Sequence, residues 1–536
     1  MESRKEDGVD EVTTQPTEPS PPAAADLLSG LCDDVLVHIL GLARHARDAV
    51  RTGALSRRWR GLWRRAPALR FASRCWFKCG GSPHGFIAFV DDTLALHAVR
   101  SGDGGVLEQL VICLNMFDDA CRNQQLVPPS IGAAERWILY AARHGVKSFH
   151  FNLSLPDDKV EVHVHDHEGE NDDEDHEHDE VNGDDDVGRK RTPVLALNEL
   201  PSSAKLEAMY LDLNFAWVRL PPTVVFASLK DLTLECTKVS GDNVLLLARL
   251  VSSACCPSLR KLSMCFITLS QQQNLLLEAS VLTELSLDVM DGMRSLELKT
   301  PSLRVLRIED CEHLQSLATS APSLKKLHIK NCERLVSLMA SAPMLEKLSC
   351  VKNRSLIIDR HFPSVSRLKL DLYSHGYAYD DDSNYGSIKL LQRHSSASCL
   401  SIDLHASMRE GQDIDIIKGS MPQLGHVRSL KVYVCRTENQ DLHCVVNCVA
   451  SLLTAFTHLR FLRLDLFHFN IEEMLRFGSV SKSRFMYNPV LKLKKSICDH
   501  WKSHEISLIH LTEVEFSRVP VTGCALGFLQ YIFPLS

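Results

Sequence analysis

The apolar residues between positions 33 and 63 recur at helical spacing and predict three short helices. Asp33 favours the start of the first helix and Asp48 that of the second, and the hydroxyl of Ser56 suits the N-cap of a third. Their apolar faces carry Val35, Leu36, Ile39 and Leu40; Ala49, Val50 and Leu55; and Trp59, Leu62 and Trp63. Fewer than about 50 residues rarely fold alone, so we expect apolar surface here to remain for a partner.

A second hydrophobic pattern, Leu-x-x-Leu-x-Leu, repeats along the middle of the chain. Its eight copies begin at positions 206, 229, 259, 282, 303, 324, 345 and 365. All but one of the intervals are 20 to 23 residues, and PSLRVLRIEDCEHLQSLATSA and PSLKKLHIKNCERLVSLMASA share a 21-residue frame. This period is typical of leucine-rich repeats, in which each repeat forms a strand and a return segment, and the leucines stack into one core.

Weaker copies extend the pattern in both directions, and the solenoid is predicted to begin near residue 100. Upstream they are Leu107/Leu110/Ile112 and Val146/Phe149/Phe151, and downstream Leu400/Ile402/Leu404, Val427/Leu430/Val432, Leu459/Leu462/Leu464 and Leu511/Val514/Phe516. The downstream copies are unevenly spaced, so residues 100–375 are predicted as regular repeats and residues 376–536 as irregular ones.

Cys311, Cys332 and Asn353 occupy the same place in three successive repeats, three residues after the last apolar strand position. A side chain at that place sits inside a turn, where an amide hydrogen-bonds well and a thiol weakly. We therefore expect a structural role for both cysteines and no redox role.

Two segments are too polar to form a core. Residues 1–25 are rich in Pro, Thr, Ala and acidic residues, and predict a disordered tail. Residues 157–191 predict a disordered surface insertion, and 16 acidic residues against Lys159 give positions 157–186 a charge of −15. Without that stretch the total charge of −7 becomes +8, a bias too weak to indicate nucleic-acid binding on its own.

The composition predicts a soluble protein of the cytosol or nucleus. In 536 residues, no stretch reaches the roughly 18 uninterrupted apolar residues that span a bilayer, and the N-terminus shows no signal-peptide core. The 18 cysteines are accordingly expected to be reduced.

The sequence predicts no catalytic residue, no cofactor and no metal site. It lacks a phosphate loop, a G-x-S-x-G elbow, an H-E-x-x-H helix and a C-x-x-C pair. Cys75 and Cys79 have no second pair of ligands to complete a zinc site. The insertion combines carboxylates with His163, His165, His167, His176 and His178. These are ligand types without a fixed geometry, so we interpret them as a solvated acidic loop.

Residues 26–71 resemble the F-box, in the form found in plant F-box proteins with leucine-rich repeats. The matching landmarks are Leu28-Ser29, Leu31, Asp33-Asp34-Val35-Leu36, Ile39-Leu40, Arg47–Thr52, Leu55–Arg60 and Leu62-Trp63. Cys32 stands where the family usually has proline. Residues 510–533 loosely resemble the opening of the FBD region that often closes these proteins. The expected fold is thus α/β, with a small N-terminal three-helix F-box followed by an irregular leucine-rich-repeat solenoid.

The resemblance implies a non-catalytic substrate receptor of a Skp-cullin-F-box ubiquitin ligase. The F-box would bind the Skp-type adaptor, and through it the cullin, while the repeats bind an unknown protein substrate. The adaptor contacts implied are Leu31, Cys32, Leu36, Ile39, Leu40, Val50, Leu55 and Trp59. The x positions of the regular repeats face outward and predict a basic substrate surface that includes Arg304, Arg307, Lys325, Lys326, His328, Glu346 and Lys347.

Two alternative functions stay open. Cys32 in place of proline is compatible with a leucine-rich scaffold whose F-box is vestigial. The His/Asp loop or the arginines between positions 57 and 70 are compatible with a metal-responsive or nucleic-acid-associated protein, although no zinc-finger or RNA-recognition pattern accompanies them.

Overall fold

The computed structural model describes residues 30–98, 107–116, 124–155, 193–353, 356, 358, 362–373, 384–405, 421–435, 442–468, 505–517, 527, 528 and 530. The predicted tail, the acidic insertion and much of the FBD-like segment lie outside these residues. The α-helices of the described part are α1 Asp33–Gly41, α2 Ala46–Arg51, α3 Ser73–Lys78, α4 Pro83–Ala98, α5 Val127–Arg143, α6 Gly241–Leu250, α7 Tyr385–Arg393 and α8 Leu442–Leu453. None of them combines the length and the apolar composition that a bilayer crossing requires.

The N-terminal helical unit consists of α1, α2 and two 3₁₀ segments, Thr52–Ala54 and Trp59–Arg65. The third predicted helix is therefore 3₁₀ and not α. Its period of three residues places Trp59 and Leu62 one turn apart, both facing inward. The unit has a small core of its own, separate from that of the sheet: Leu36, Leu40, Ala49, Trp59, Leu62, Trp63 and Ala66.

A long parallel sheet follows directly, since β1 begins three residues after the second 3₁₀ segment ends at Arg65. Its strands in the described part are β1 Ala68–Ala72, β2 Gln109–Asn115, β3 Ser148–Ser154, β4 Val194–Ala196, β5 Ala208–Arg219, β6 Asp231–Val239, β7 Lys261–Glu278, β8 Glu284–Lys299, β9 Val305–Glu309, β10 Ser316–Ser320, β11 Lys326–Lys330, β12 Ser337–Ser341, β13 Lys347–Val351, β14 Arg367–Tyr373, β15 Cys399–His405, β16 Ser429–Cys435, β17 Phe461–His468 and β18 Glu513–Ser517. The molecule is mixed α/β.

The strands form two lanes. In the first lane β1, β2, β3, β5, β6, β7, β8, β9, β11, β13 and β14 to β18 pair in that order, all parallel. The long strands β5 to β8 bend and continue into the second lane, where β4 pairs with β5, and β10 with β8 and β12. One 21-residue repeat thus supplies one strand to each lane.

The repeated leucines align in register along the first lane. Leu285, Leu306, Leu327, Leu348 and Leu368 are direct partners on successive strands. All five are buried in one continuous core. Each strand contributes alternate residues to that core, so the residues between them lie on the opposite face.

In the strands β6 to β9, β11 and β13, the chain turns sharply at one repeat position, either where the strand ends or where it bends towards the second lane. Six non-glycine residues adopt positive φ at the same repeat position, with values of 47° to 54°: Cys236, Phe266, Val289, Asp310, Asn331 and Lys352. This left-handed conformation costs roughly 1–2 kcal/mol for a residue with a Cβ, so the surrounding packing must impose it.

Candidate functional site

The helical unit leaves four large apolar side chains exposed to solvent. Val35, Ile39 and Leu42 are spaced by four and three residues and share one face of α1, with 42%, 42% and 66% of their surface exposed. Leu55, after the first 3₁₀ segment, is 68% exposed. Val35 and Leu42 were not among the predicted contacts, although their spacing relative to Ile39 is the signal that identifies them.

The other predicted adaptor contacts divide into accessible and buried residues. Cys32 is exposed, and Leu31 and Val50 are half-buried. Leu36, Leu40 and Trp59, in contrast, lie in the core of the helical unit. A partner reaches these three only by opening that core, so their direct role here is to hold the helices together.

Arginines tie the helical unit together and attach it to the sheet. Arg58 donates to the Asp33 carboxylate at 2.8 Å, and Arg65 to that of Asp34 at 2.9 Å. Arg70 on β1 donates to the Gly41 carbonyl at 2.7 Å and to Gln109 on β2 at 2.6 Å. These three arginines of the predicted basic cluster therefore have intramolecular partners.

The predicted substrate residues lie together on the outward face of β9, β11 and β13. Lys326 and Lys347 are direct neighbours in one column, and Arg307 and His328 in the next. Arg304, Lys325 and Glu346 stand just before these strands, linked by backbone hydrogen bonds from Lys325 to Arg304 and from Glu346 to Lys325. The repeat register therefore places residues about 21 positions apart side by side.

Three of these seven residues are engaged with other side chains. Lys325 pairs with Glu346 at 3.1 Å, with both side chains about half exposed. His328 lies 3.5 Å from Glu309. Burial lowers the pKa of His328, so its imidazole is neutral at neutral pH and forms only a weak contact. Arg304, Arg307, Lys326 and Lys347 have no carboxylate within ion-pair distance in the described part of the chain.

Charge is segregated along this strand face. The stretch built by β5 to β8 is rich in acidic residues, including Asp212, Asp231, Glu235, Glu284 and Asp288. The stretch from β9 to β14, called here the basic strand face, adds Arg367 and Lys369 to the predicted set. Lys369 pairs with Asp403 at 2.9 Å, whereas Arg367 is exposed and pairs with no described carboxylate. Arg367 can be predicted as part of this face from the sequence, because the repeat register aligns it with Lys347.

Cys332 and Asn353 perform the predicted structural role. Asn353 Oδ1 accepts a hydrogen bond from the Cys332 N–H at 2.8 Å, and Asn353 Nδ2 donates to the carbonyls of Ile329 at 2.9 Å and Val351 at 2.8 Å. The Cys332 thiol donates to the Lys330 carbonyl at 3.4 Å. The expectation that this repeat position is structural is confirmed.

Cys311 is equally structural, and its thiol donates to the Glu309 carbonyl at 3.3 Å. The neighbouring Cys332 thiol, together with burial, raises the pKa of Cys311 well above that of an ordinary thiol. A thiol that stays protonated is a poor nucleophile.

Within the described ranges, one close group of side chains is of the kind that can bind a metal ion. Carboxylate oxygens of Asp288, Glu309 and Asp310 approach one another within 4.8 Å at the corner between the lanes. Cys75 and Cys79 join no such group there. The histidines of the acidic insertion lie outside the described residues.

Comparison with known proteins gives one informative match. No protein-family model matches the sequence. A 72-residue stretch is 40% identical to a putative FBD-associated F-box protein of Arabidopsis thaliana. It covers 13% of this chain, and the chain spans only 15% of the length of that relative. The match supports a relationship to the plant F-box family.

Proposed function

We propose that this chain is the substrate-recognition subunit of a Skp-cullin-F-box ubiquitin ligase. In this proposal, the helical unit is the F-box that binds a Skp-type adaptor, and the parallel sheet is a leucine-rich-repeat solenoid that binds the substrate. The match to an F-box protein of Arabidopsis supports the assignment. The chain would act by proximity, holding a substrate beside the conjugating enzyme without supplying a nucleophile.

The exposed apolar face of the helical unit carries the docking proposal. Ile39 and Leu55 are 42% and 68% exposed, in a unit whose own core is already filled by other side chains. Covering a large aliphatic side chain fully contributes about 1.5–3 kcal/mol, so on docking Ile39 contributes about 0.6–1.3 kcal/mol and Leu55 about 1–2 kcal/mol. Four such residues, including Val35 and Leu42, supply a substantial part of a stable interface.

Co-purification of the full chain with a plant Skp-type adaptor tests this proposal. The test variant is Ile39→Asp/Leu55→Asp, because buried positions such as Leu36 would disturb folding. The matched control is Val225→Asp/Leu245→Asp, since these residues are 43% and 76% exposed and lie outside the helical unit. We expect a stable wild-type complex, the same complex with the control, and loss of the complex with the test variant.

Two results would contradict the docking proposal. The first is folded wild-type protein that does not retain the adaptor, which would favour a scaffold with a vestigial F-box. The second is equal loss of the complex in the test and control variants, which would show that the exposed face of α1 has no special role.

The basic strand face is the proposed substrate surface, and its ligand would be an acidic segment of a protein. Four cations without described carboxylate partners, Arg304, Arg307, Lys326 and Lys347, adjoin the exposed Arg367 there. Electrostatic complementarity of this kind selects acidic partners and accelerates their association.

A Glu-rich peptide tests the substrate surface in the absence of the adaptor. Lys326→Glu/Lys347→Glu should weaken its binding by at least about tenfold, since two attractions become repulsions. Lys230→Glu/Lys261→Glu, on the same face but in the acidic stretch, should change it little. If the two double variants weaken peptide binding equally, the basic strand face is not the binding site.

A further inference from the structure

A small cavity lies where the helical unit meets the sheet, between α2, β1, α3 and α4. It measures about 110 Å³, room for several water molecules or for one tetrahedral oxyanion. Three arginines, Arg47, Arg51 and Arg70, are among the residues that line it, and Asp48 is the one acidic residue among them. Its net charge is therefore strongly positive.

The three arginines have no anionic partner within the residues that the structure describes. Arg70 uses its guanidinium to hold the Gly41 carbonyl and the Gln109 side chain, both of which are uncharged. Arg47 lies over the ring of Trp76 at 5.0 Å from its centroid. Both groups are thus held in place, yet neither has its charge neutralised by a carboxylate.

Aromatic residues also line the cavity. Trp76 stacks on Phe89 with ring centroids 5.1 Å apart and meets Phe86 edge-on at 6.1 Å. Aromatic side chains lower the local polarity, which strengthens the attraction between a guanidinium and an anion. Guanidinium groups match the oxygens of phosphate with two parallel hydrogen bonds.

His45 supplies one more sign of an incomplete site. Its Nδ1 atom is buried and has no hydrogen-bond partner in the described part of the chain, although the residue lines the cavity. Buried polar atoms nearly always have a hydrogen-bond partner, and an oxygen atom of a ligand would be that partner for Nδ1 of His45.

We propose that this cavity binds phosphate, either as the free dianion or as the terminal group of a small phosphate monoester. Arg47 and Arg51 approach the ligand from the helical unit, and Arg70 approaches it from β1. The ligand therefore bridges the helical unit and the sheet, and stiffens the junction between the proposed adaptor-binding and substrate-binding parts. The binding itself does not depend on either of those proposed functions.

Two exposed thiols at the cavity provide a local readout. Cys75 and Cys79 both line it and are free, whereas Cys32 is an exposed free thiol outside it. The full chain is titrated with sodium phosphate against sodium chloride at matched ionic strength. Alkylation of each cysteine by iodoacetamide is then followed by peptide mass spectrometry. Saturable protection of Cys75 and Cys79, with Cys32 unchanged, is the expected result.

Charge variants test which residues hold the phosphate. Arg47→Gln and Arg51→Gln should each weaken the protection by at least about tenfold, the effect of losing one charge-assisted hydrogen bond. Arg44→Gln, an exposed arginine outside the cavity, is the matched control and should leave it unchanged. Asp48→Asn should tighten binding, because it removes the one repulsive charge.

A second titration with O-phosphoserine distinguishes the two sources of phosphate. Tighter binding than inorganic phosphate would assign the site to monoesters, and weaker binding would assign it to the free ion. The proposal is overturned if neither probe protects Cys75 and Cys79 in folded protein. It is also overturned if Arg44→Gln weakens protection as much as Arg47→Gln does.

Discussion

The side chain of Asn353 should be among the most consequential in the regular repeats, and Asn353→Ala measures its contribution. The substitution removes three hydrogen bonds, to the Cys332 N–H and the carbonyls of Ile329 and Val351. Each neutral hydrogen bond contributes about 1 kcal/mol net, and more when its removal leaves a buried group unpaired. We therefore expect a loss of about 3 kcal/mol in the local free energy of opening.

Hydrogen exchange is the appropriate assay because stability in a stacked fold is mainly a nearest-neighbour property. A loss of about 3 kcal/mol corresponds to roughly a hundredfold faster exchange, since about 1.4 kcal/mol is a factor of ten. The acceleration should appear in peptides from β11 and β13. Peptides from β5 and β6, several strands away, should exchange as in the wild type.

Asn274→Ala is the matched control, because Asn274 is exposed and its side chain accepts one hydrogen bond, from Ser295 at 2.6 Å. It should change exchange in its own strand by a few-fold at most. If Asn353→Ala accelerates hydrogen exchange around β11 no more than the control does around β7, the hydrogen bonds of the Asn353 side chain contribute little to stability. That result would contradict the prediction.

The remaining predictions concern the junction and the response to pH. Gly41→Ala should lower stability by about 1–3 kcal/mol, because a Cβ there would stand 2.9 Å from two atoms of the Pro67 ring. Gly132→Ala, in the middle of α5 with no atom closer than 3.5 Å, should instead raise it by about 0.5–1 kcal/mol, and thermal unfolding separates the two signs. Burial lowers the pKa of His97 below its value in the unfolded chain. The neutral imidazole therefore contributes its full stabilisation above about pH 6.5, and this stabilisation is lost as the pH falls below that value. His97→Gln should therefore lose less thermal stability than the wild type between pH 7.5 and pH 5.5, and an equal loss would contradict the assignment.

The sequence predicts the stacked part of the fold well because its leucines repeat at a nearly constant interval. Leu306, Leu327 and Leu348 are 21 residues apart and become direct partners in the sheet. The same interval places Lys326 beside Lys347, so the basic strand face is predictable as soon as the register is known. The structural role of Asn353 follows in the same way, from its position in the frame.

The helical unit is less predictable, because a helix of two turns does not reveal which face it buries. Leu36 and Ile39 are equivalent in the pattern, yet the first is fully buried and the second is 42% exposed. The difference arises from packing against Trp59, Leu62 and Trp63, more than twenty residues away. The 3₁₀ form of the last segment is likewise invisible to an apolar spacing that suits both kinds of helix.

Two further features depend on tertiary structure alone. The positive φ of Val289 contradicts the preference of a β-branched residue, and only the demand for a turn at that point explains it. The cavity at the junction combines His45 with Phe89, residues on separate elements that no local motif connects.

Because the chain passes directly from the helical unit into β1, each strand of the sheet lies at a fixed distance from the helical unit. No linker separates the two parts, and Arg70 fastens them. Eight strand-to-strand steps lead from β1 to β11, which at about 4.8 Å each is roughly 40 Å along the sheet. Each repeat inserted or deleted before β9 would move the basic strand face by one such step relative to the helical unit. The number of repeats therefore sets the reach of the molecule in fixed increments.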